Sequence, residues 1–266
     1  MHIDLVSKTA LVTGSTSGMG YATAKALAVA GARVVVHGSS DETVSGAVDR
    51  LRQDVPGSDV AGHSARLEDP DAVSDLIDAV PDVDILVSNA GPTHSTSVFD
   101  ISLAEWRAQL DIYLTAGMLL GRHHLARMID RGWGRMLFGA GLTCSYSPAA
   151  PSLDTMTAWL TCKSAMLGLS RGFAEIAAGR GVTVNSFVPG PTMTEEKYLS
   201  IDPPMDGTFE QFGRDYFTGP GSSSLLRRFL QPDEVANFIV FLASPQASGI
   251  TGAALRVDGG IIRSIL

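Results

Sequence analysis

Thr13-Gly14-Ser15-Thr16-Ser17-Gly18-Met19-Gly20 is the stretch that decides the fold. An apolar run, Thr9–Thr13, leads into it, and a stripe of Tyr21, Ala24, Leu27 and Ala28 leads out, so the glycines lie between a strand and a helix. Glycine at 14 permits a tight turn, glycine at 18 lets a pyrophosphate approach the backbone, and glycine at 20 lets the helix pack closely. Behind them the helix N-terminus offers N–H groups and positive partial charge to a phosphate. Gly31 then suits a left-handed C-terminal cap.

Further strands are expected at Arg33–His37, Asp59–Ser64, Asp84–Ser88, Arg135–Gly139, Thr183–Val188 and Ala254–Val257. Helical stretches separate them. Asp69-Pro70 and Gln231-Pro232-Asp233-Glu234 place proline in the first turn with acids beside it. Ser102 and Glu105 form a capping box that opens a helix running to about Asp130, and another helix is expected over 155–179. Alternating strand and helix predicts a single α/β domain over 1–266, a doubly wound Rossmann-type parallel sheet of about seven strands. Residues 192–225 break the rhythm with Pro203-Pro204, Gly219-Pro220-Gly221 and the aromatics Tyr198, Phe209, Phe212, Tyr216 and Phe217. A long aromatic excursion late in such a sheet is expected to be a lid over a substrate pocket.

The 266 residues are 45% hydrophobic and 18% charged, with 28 glycines, which suits a folded domain rich in tight turns. A net charge of −8 without any basic cluster excludes an ordinary nucleic-acid binder. The start, MHIDLVSKTALVTG, lacks a signal pattern, and no apolar run reaches membrane-spanning length, so a cytoplasmic protein without a membrane partner is expected. Cys144 and Cys162 fit no metal-ligand spacing and read as ordinary thiols, and no metal site is expected.

Four ordered motifs carry a resemblance. The T-G-x-x-x-G-x-G loop is followed by Ser88-Asn89-Ala90-Gly91, by Asn185-Ser-Phe-Val-Pro-Gly190 with Thr192 and Thr194 beyond, and by Asp258-Gly259-Gly260. In this order and spacing they resemble the short-chain dehydrogenase/reductase family over nearly the whole chain. The resemblance implies a nicotinamide dinucleotide held by Gly14, Ser15, Thr16, Ser17, Gly18, Met19, Gly20, Ser39, Asn89, Ala90, Gly91, Lys163, Pro189, Gly190, Thr192 and Thr194. Where relatives that prefer NAD carry an acid after the second strand, this chain has Gly38. The arginines of NADP-preferring relatives are also missing, at Ser17 and Ser39, and Arg66 stands where a further acid is usual. Ser39 and Ser40 tilt the expectation to NADP(H) over NAD(H), with absence of a cofactor kept open.

The family's catalytic tyrosine, serine and asparagine are replaced. Y-x-x-x-K reads Trp159-Leu-Thr-Cys-Lys163, the serine position is Gly141 when aligned on Gly134-Arg135, and the asparagine position is Tyr113. An indole N–H donates but does not exchange a proton as a phenol does. Lys163 is expected at the cofactor ribose and Trp159 as a core or pocket aromatic. Tyr113 and Tyr146 are candidate substitute phenols, and His94 is a candidate acid/base beyond the Asn89-Ala90-Gly91 turn, with Asp154 and Glu195 as weaker candidates. These replacements lead to the expectation of a diverged enzyme acting on an apolar or aromatic small molecule by non-redox elimination, isomerisation or cyclisation. The alternatives are an NADP(H)-dependent carbonyl reductase with a relocated proton donor, and an inactive binding or assembly partner. The resemblance further implies a homodimer or homotetramer.

Overall fold

In the computed structural model, residues 2–91, 96–141, 153–199, 207–218 and 224–263 are described. Seven strands form one parallel sheet, β1 (Thr9–Val12), β2 (Arg33–Gly38), β3 (Val60–Ser64), β4 (Ile85–Ser88), β5 (Gly134–Gly139), β6 (Val182–Pro189) and β7 (Ala254–Val257), in the order β3-β2-β1-β4-β5-β6-β7. Residue alternation builds both faces. Ala10, Val12, Val34, Val36, Ile85, Val87 and Leu137 point into one core layer, and Leu11, Val35, Leu86, Met136 and Phe138 into the other. Each face buries an apolar row, so each must be covered by helices.

The first layer is closed by α1 (Gly18–Val29), α2 (Asp41–Asp54) and α9 (Pro232–Ala243). The second is closed by α3 (Pro70–Ala79), α5 (Ala116–Arg131) and α6 (Leu153–Ile176). The helix expected over 102–130 is not uniform. It comprises α4 (Leu103–Leu110), a π turn at Asp111–Thr115 and then α5. The capping box at Ser102 and Glu105 is present as expected, the serine hydroxyl accepting from Glu105 N–H at 3.2 Å. Periodicity predicts a helix but not a widened turn, whose extra residue reorients the side chains beside it.

The excursion after β6 carries α7 (Glu195–Leu199) and α8 (Phe209–Thr218). Its described aromatic residues pack on one another, with Phe217 also lining a cavity at the end of β7. Tyr198, Phe212 and Phe217 are buried against one another and Phe229, forming a third, separate cluster. Phe212 stacks on Phe229 with centroids 5.5 Å apart, and Phe217 meets the same ring edge-on at 4.9 Å. The segment is tied to the domain by an isolated parallel bridge between Thr192 and Leu230.

The strand order reverses between β1 and β4. That brings the loops after these two strands side by side at the C-terminal edge of the sheet, where ligands bind in open α/β folds.

Candidate active site

Thr13 joins the two loops at this crevice. Its hydroxyl accepts from the N–H groups of Asn89 and Ala90, both at 3.0 Å, and Asn89 Nδ2 donates to the Thr13 carbonyl at 3.1 Å. The glycines of the first loop are required by contact. A Cβ at Gly20 would lie 2.0 Å from the Gly14 carbonyl oxygen, and one at Gly14 would lie 2.8 Å from Ala90 Cα. Gly18, at φ +54°, faces open space. The first N–H groups of α1 have no intrahelical acceptor, and Ser17 makes no side-chain cap bond to them. An open cradle of glycine backbone at a helix N-terminus fits the pyrophosphate of a dinucleotide.

Not every residue expected in this cradle is available to a ligand. The Ser15 side chain is fully buried, donating to Val12 O at 2.7 Å and accepting from His37 N–H at 3.0 Å, while its own N–H donates to His37 O. Its role is to brace the loop. Thr16 and Ser17 lie at the surface of the loop, Met19 packs on the first core layer, and Ser39 is exposed beyond β2. At Gly38 a Cβ would stand 2.6 Å from Thr16 Cγ2, so a side chain there would have to displace the Thr16 methyl. Arg66 pairs with Glu68 at 2.5 Å.

His37 was not singled out from sequence. It is 2% exposed, accepts from Gly14 N–H through Nδ1 at 3.2 Å and places Nε2 3.2 Å from the Ala65 carbonyl. Burial lowers its pKa to about 4. A polar residue ending the buried run Val34-Val35-Val36 is the signal that could have found it.

At the far end of the crevice, Pro189 closes β6 and Gly190 packs against the Asp258 backbone. The Thr192 hydroxyl donates to Gly190 O at 3.0 Å, and Thr194 accepts from Lys197 N–H at 3.1 Å. Asn185 is buried and structural, donating to Ile250 O at 2.7 Å and accepting from Ala253 N–H at 3.1 Å.

Tyr113, Trp159, Lys163, Gly91 and Gly141 come together. The π turn packs on α6 and carries Tyr113, which is 2% exposed, to the end of β4. A Cβ at Gly91 would fall 1.9 Å from Tyr113 Cε1, so the ring occupies the space a side chain at 91 would need. The Trp159 indole lies beside the Tyr113 hydroxyl, close enough to act on its pKa. With only an N–H to give, the indole can act there only as a donor. Lys163 Nζ donates to Gly139 O at 3.0 Å and lies 4.7 Å from the Tyr113 ring centroid. Gly141 faces the same group, since a Cβ there would stand 3.1 Å from Lys163 Cβ and 3.5 Å from Trp159 Cη2. Tyr113, Trp159, Lys163 and Gly141, named from sequence, therefore lie together. His94 and Tyr146 lie outside the described residues, as does Cys144.

The electrostatics separate these groups. Burial raises the Tyr113 pKa, the nearby Cys162 raises it further, and the Trp159 indole works in the opposite direction. Burial lowers the Lys163 pKa to about 8. Near neutral pH the site holds a protonated phenol beside an ammonium, an acid with a cation ready to balance the anion it leaves. Among the described residues no cluster of His, Cys, Asp and Glu is arranged for a metal, and no helix is long and apolar enough to cross a membrane.

A family model described as Enoyl-(Acyl carrier protein) reductase matches residues 14–262. The chain is 37% identical over its full length to the Uncharacterized oxidoreductase YvaG of Bacillus subtilis (strain 168), all of which is covered. It is 30% identical to the 3-oxoacyl-[acyl-carrier-protein] reductase FabG of Aquifex aeolicus (strain VF5), over 98% of this chain and 100% of that one. Among solved structures, L-sorbose reductase from Gluconobacter frateurii, complexed with NADPH and L-sorbose, superposes with a TM-score of 0.87 at 25% identity, covering 100% of both chains. These relatives are oxidoreductases, and they overturn the expectation of elimination, isomerisation or cyclisation drawn from the replaced positions. That expectation rested on the replaced tyrosine, serine and asparagine positions, with a substitute phenol at Tyr113 or Tyr146 kept as the alternative.

Proposed function

Because the chain belongs to the short-chain dehydrogenase/reductase family, we propose that it is an NADP(H)-dependent oxidoreductase that interconverts a small carbonyl compound and its alcohol, with Tyr113 as the proton donor. The observation that carries this reading is the phenol of Tyr113, set beside the Trp159 indole and with the Lys163 ammonium 4.7 Å from its ring. When bound, the reduced nicotinamide supplies the hydride to the carbonyl carbon. Tyr113 gives its hydroxyl proton to the oxygen that becomes the alcohol. The Trp159 N–H and the Lys163 charge then stabilise the phenolate until it is reprotonated. Lys163, tethered to Gly139, also fits a contact to the ribose. The α1 N-terminus with Gly14, Gly18 and Gly20 would hold the pyrophosphate, and Asn89, Ala90, Gly91, Pro189, Gly190, Thr192 and Thr194 would frame the nicotinamide end. The lack of an acid at Gly38 favours NADP(H), as does the NADPH in the L-sorbose reductase structure.

The test is NADPH consumption over a panel of hydroxy-ketones, keto acids and 3-oxoacyl thioesters. The wild-type protein is expected to oxidise NADPH with at least one class. Tyr113→Phe is expected to lower kcat by about 10²–10⁴-fold while NADPH still binds. A phenylalanine variant with undiminished kcat would remove Tyr113 from this role. A homo-oligomer is part of the same reading, supported by the exposed Phe99, Leu103 and Ile176. Sedimentation equilibrium measures it, and a monomer at micromolar concentration would refute it.

A further inference from the structure

One cavity contains none of the catalytic residues. It has a volume of about 970 Å³ and lies between the end of α8, the turn at 224–227, the end of β7 and the segment that follows. Three arginines line it, Arg227, Arg256 and Arg263, against one acid, Asp258. That acid is committed to its own turn, its carboxylate accepting from Gly260 N–H at 2.9 Å and from Ile262 N–H at 3.2 Å. The ion pairs found among the described residues include neither Arg227 nor Arg263. Arg256 Nη1 donates to Ile262 O at 3.4 Å, which leaves Arg227 and Arg263 as the two lining cations without an ion pair among the described residues of a chain whose net charge is −8.

Arg227 adds a second, independent observation. It stands at φ +53°, one of two non-glycine residues described with positive φ, a conformation unfavourable for a side chain of its size. The turn enforces this. Leu225 and Leu226 N–H both donate to Gly259 O, and Arg227 N–H donates to Ser224 Oγ at 3.3 Å. The turn thus holds the arginine against the segment following β7 at a conformational cost that glycine would not incur. Strain kept at one residue whose side chain lines a basic cavity points to use of that side chain.

We propose that this basin binds a small molecule through its carboxylate or phosphate group, with Arg227, Arg256 and Arg263 as the recognising cations. Guanidinium groups suit both anions because their planar N–H forks match two oxygens at once. The basin shares a wall with the crevice, since Gly190 packs on the Asp258 backbone, yet it is lined by different side chains.

Thermal unfolding without cofactor tests the basin separately from the redox reading. Titrations of sodium phosphate and of citrate, each at constant ionic strength against sodium chloride, distinguish the two anion chemistries. At least one is expected to raise Tm saturably. Arg227→Gly relieves the positive-φ strain, so it is expected to fold with equal or higher Tm and to bind that anion at least tenfold more weakly. Arg263→Gln, read in parallel, is expected to weaken binding in the same direction. No response beyond chloride, or equal binding by Arg227→Gly, overturns the proposal. So does an arginine variant that changes only the assembly size while the wild-type chain ignores both anions, because the basin would then be a contact between subunits.

Discussion

The backbone N–H of Gly14 donates to Nδ1 of His37 at 3.2 Å, and the other ring nitrogen of His37 faces the Ala65 carbonyl at the same distance. One nitrogen must accept and the other donate, so the ring is neutral with its proton on Nε2. The buried imidazole therefore ties the phosphate loop to the ends of β2 and β3, beside the bonds that Ser15 makes to the His37 backbone. His37→Leu is expected to weaken NADPH binding about tenfold, from the loss of a hydrogen bond and a Gly14 N–H left without its partner. His37→Asn keeps an acceptor and a donor on one side chain and is expected to recover most of that loss. Fluorescence titration of reduced cofactor makes the comparison, and equal affinity in all three proteins would show the tether to be dispensable.

Lys163 sets an alkaline limit. Its pKa is lowered from 10.5 to about 8 by burial, so the ammonium beside Tyr113 is lost as pH rises through about 8. We expect kcat for carbonyl reduction to fall above that pH. Stability moves the other way, because between about 8 and 10.5 the unfolded chain keeps a proton that the folded chain has released. Lys163→Met should remove this rise in denaturant-derived stability. An unchanged slope in the variant would place the titration elsewhere.

Restoring the usual side chains should raise activity. A Cβ at Gly141 is 3.1 Å from Lys163 Cβ, a tight approach that a small shift of that side chain relieves. The Trp159→Tyr and Gly141→Ser double variant is expected to reduce carbonyl substrates at least tenfold faster than wild type, with a further phenol and hydroxyl at the reacting oxygen. A rate below wild type would mean that the Trp159 indole beside Tyr113 matters more than an added acid.

His124 makes the fold sensitive to acid. It is fully buried on α5, neither ring nitrogen has a hydrogen-bond partner, and burial lowers its pKa from 6.5 to about 3. At pH 7 it is neutral in both states. As pH falls below 6.5 the unfolded chain takes up a proton first, so stability is lost between about 6.5 and 3. Urea unfolding of His124→Leu is expected to lose about 2 kcal/mol less than wild type between pH 6.5 and pH 5. Parallel losses in the two proteins would assign the acid sensitivity to other groups.

The fold was legible because strand alternation, helix caps and the Thr13–Gly20 loop all point to one architecture. Gly141, Trp159 and Lys163 could be placed for a similar reason, since fixed offsets on a strand end and a helix face survive substitution. Three things were not legible. The resemblance already put Tyr113 at the site, but the π turn at Asp111–Thr115 that carries it to Gly91 and Lys163 is not marked by the helix pattern. The bond from His37 to Gly14 spans β1 and β2 and depends on burial, which composition alone does not report. The aromatics of the excursion read as a lid because their number is visible in the sequence, whereas their packing on one another and on Phe229 is not.

That last cluster has an evolutionary consequence. Tyr198, Phe212, Phe217 and Phe229 give the excursion its own interior, and the Thr192–Leu230 bridge brings its two ends together beside β6. A segment that leaves and re-enters at one point and packs on itself is a cassette. Its surface can be rewritten, or the whole loop grafted from a relative, without disturbing a residue of the sheet.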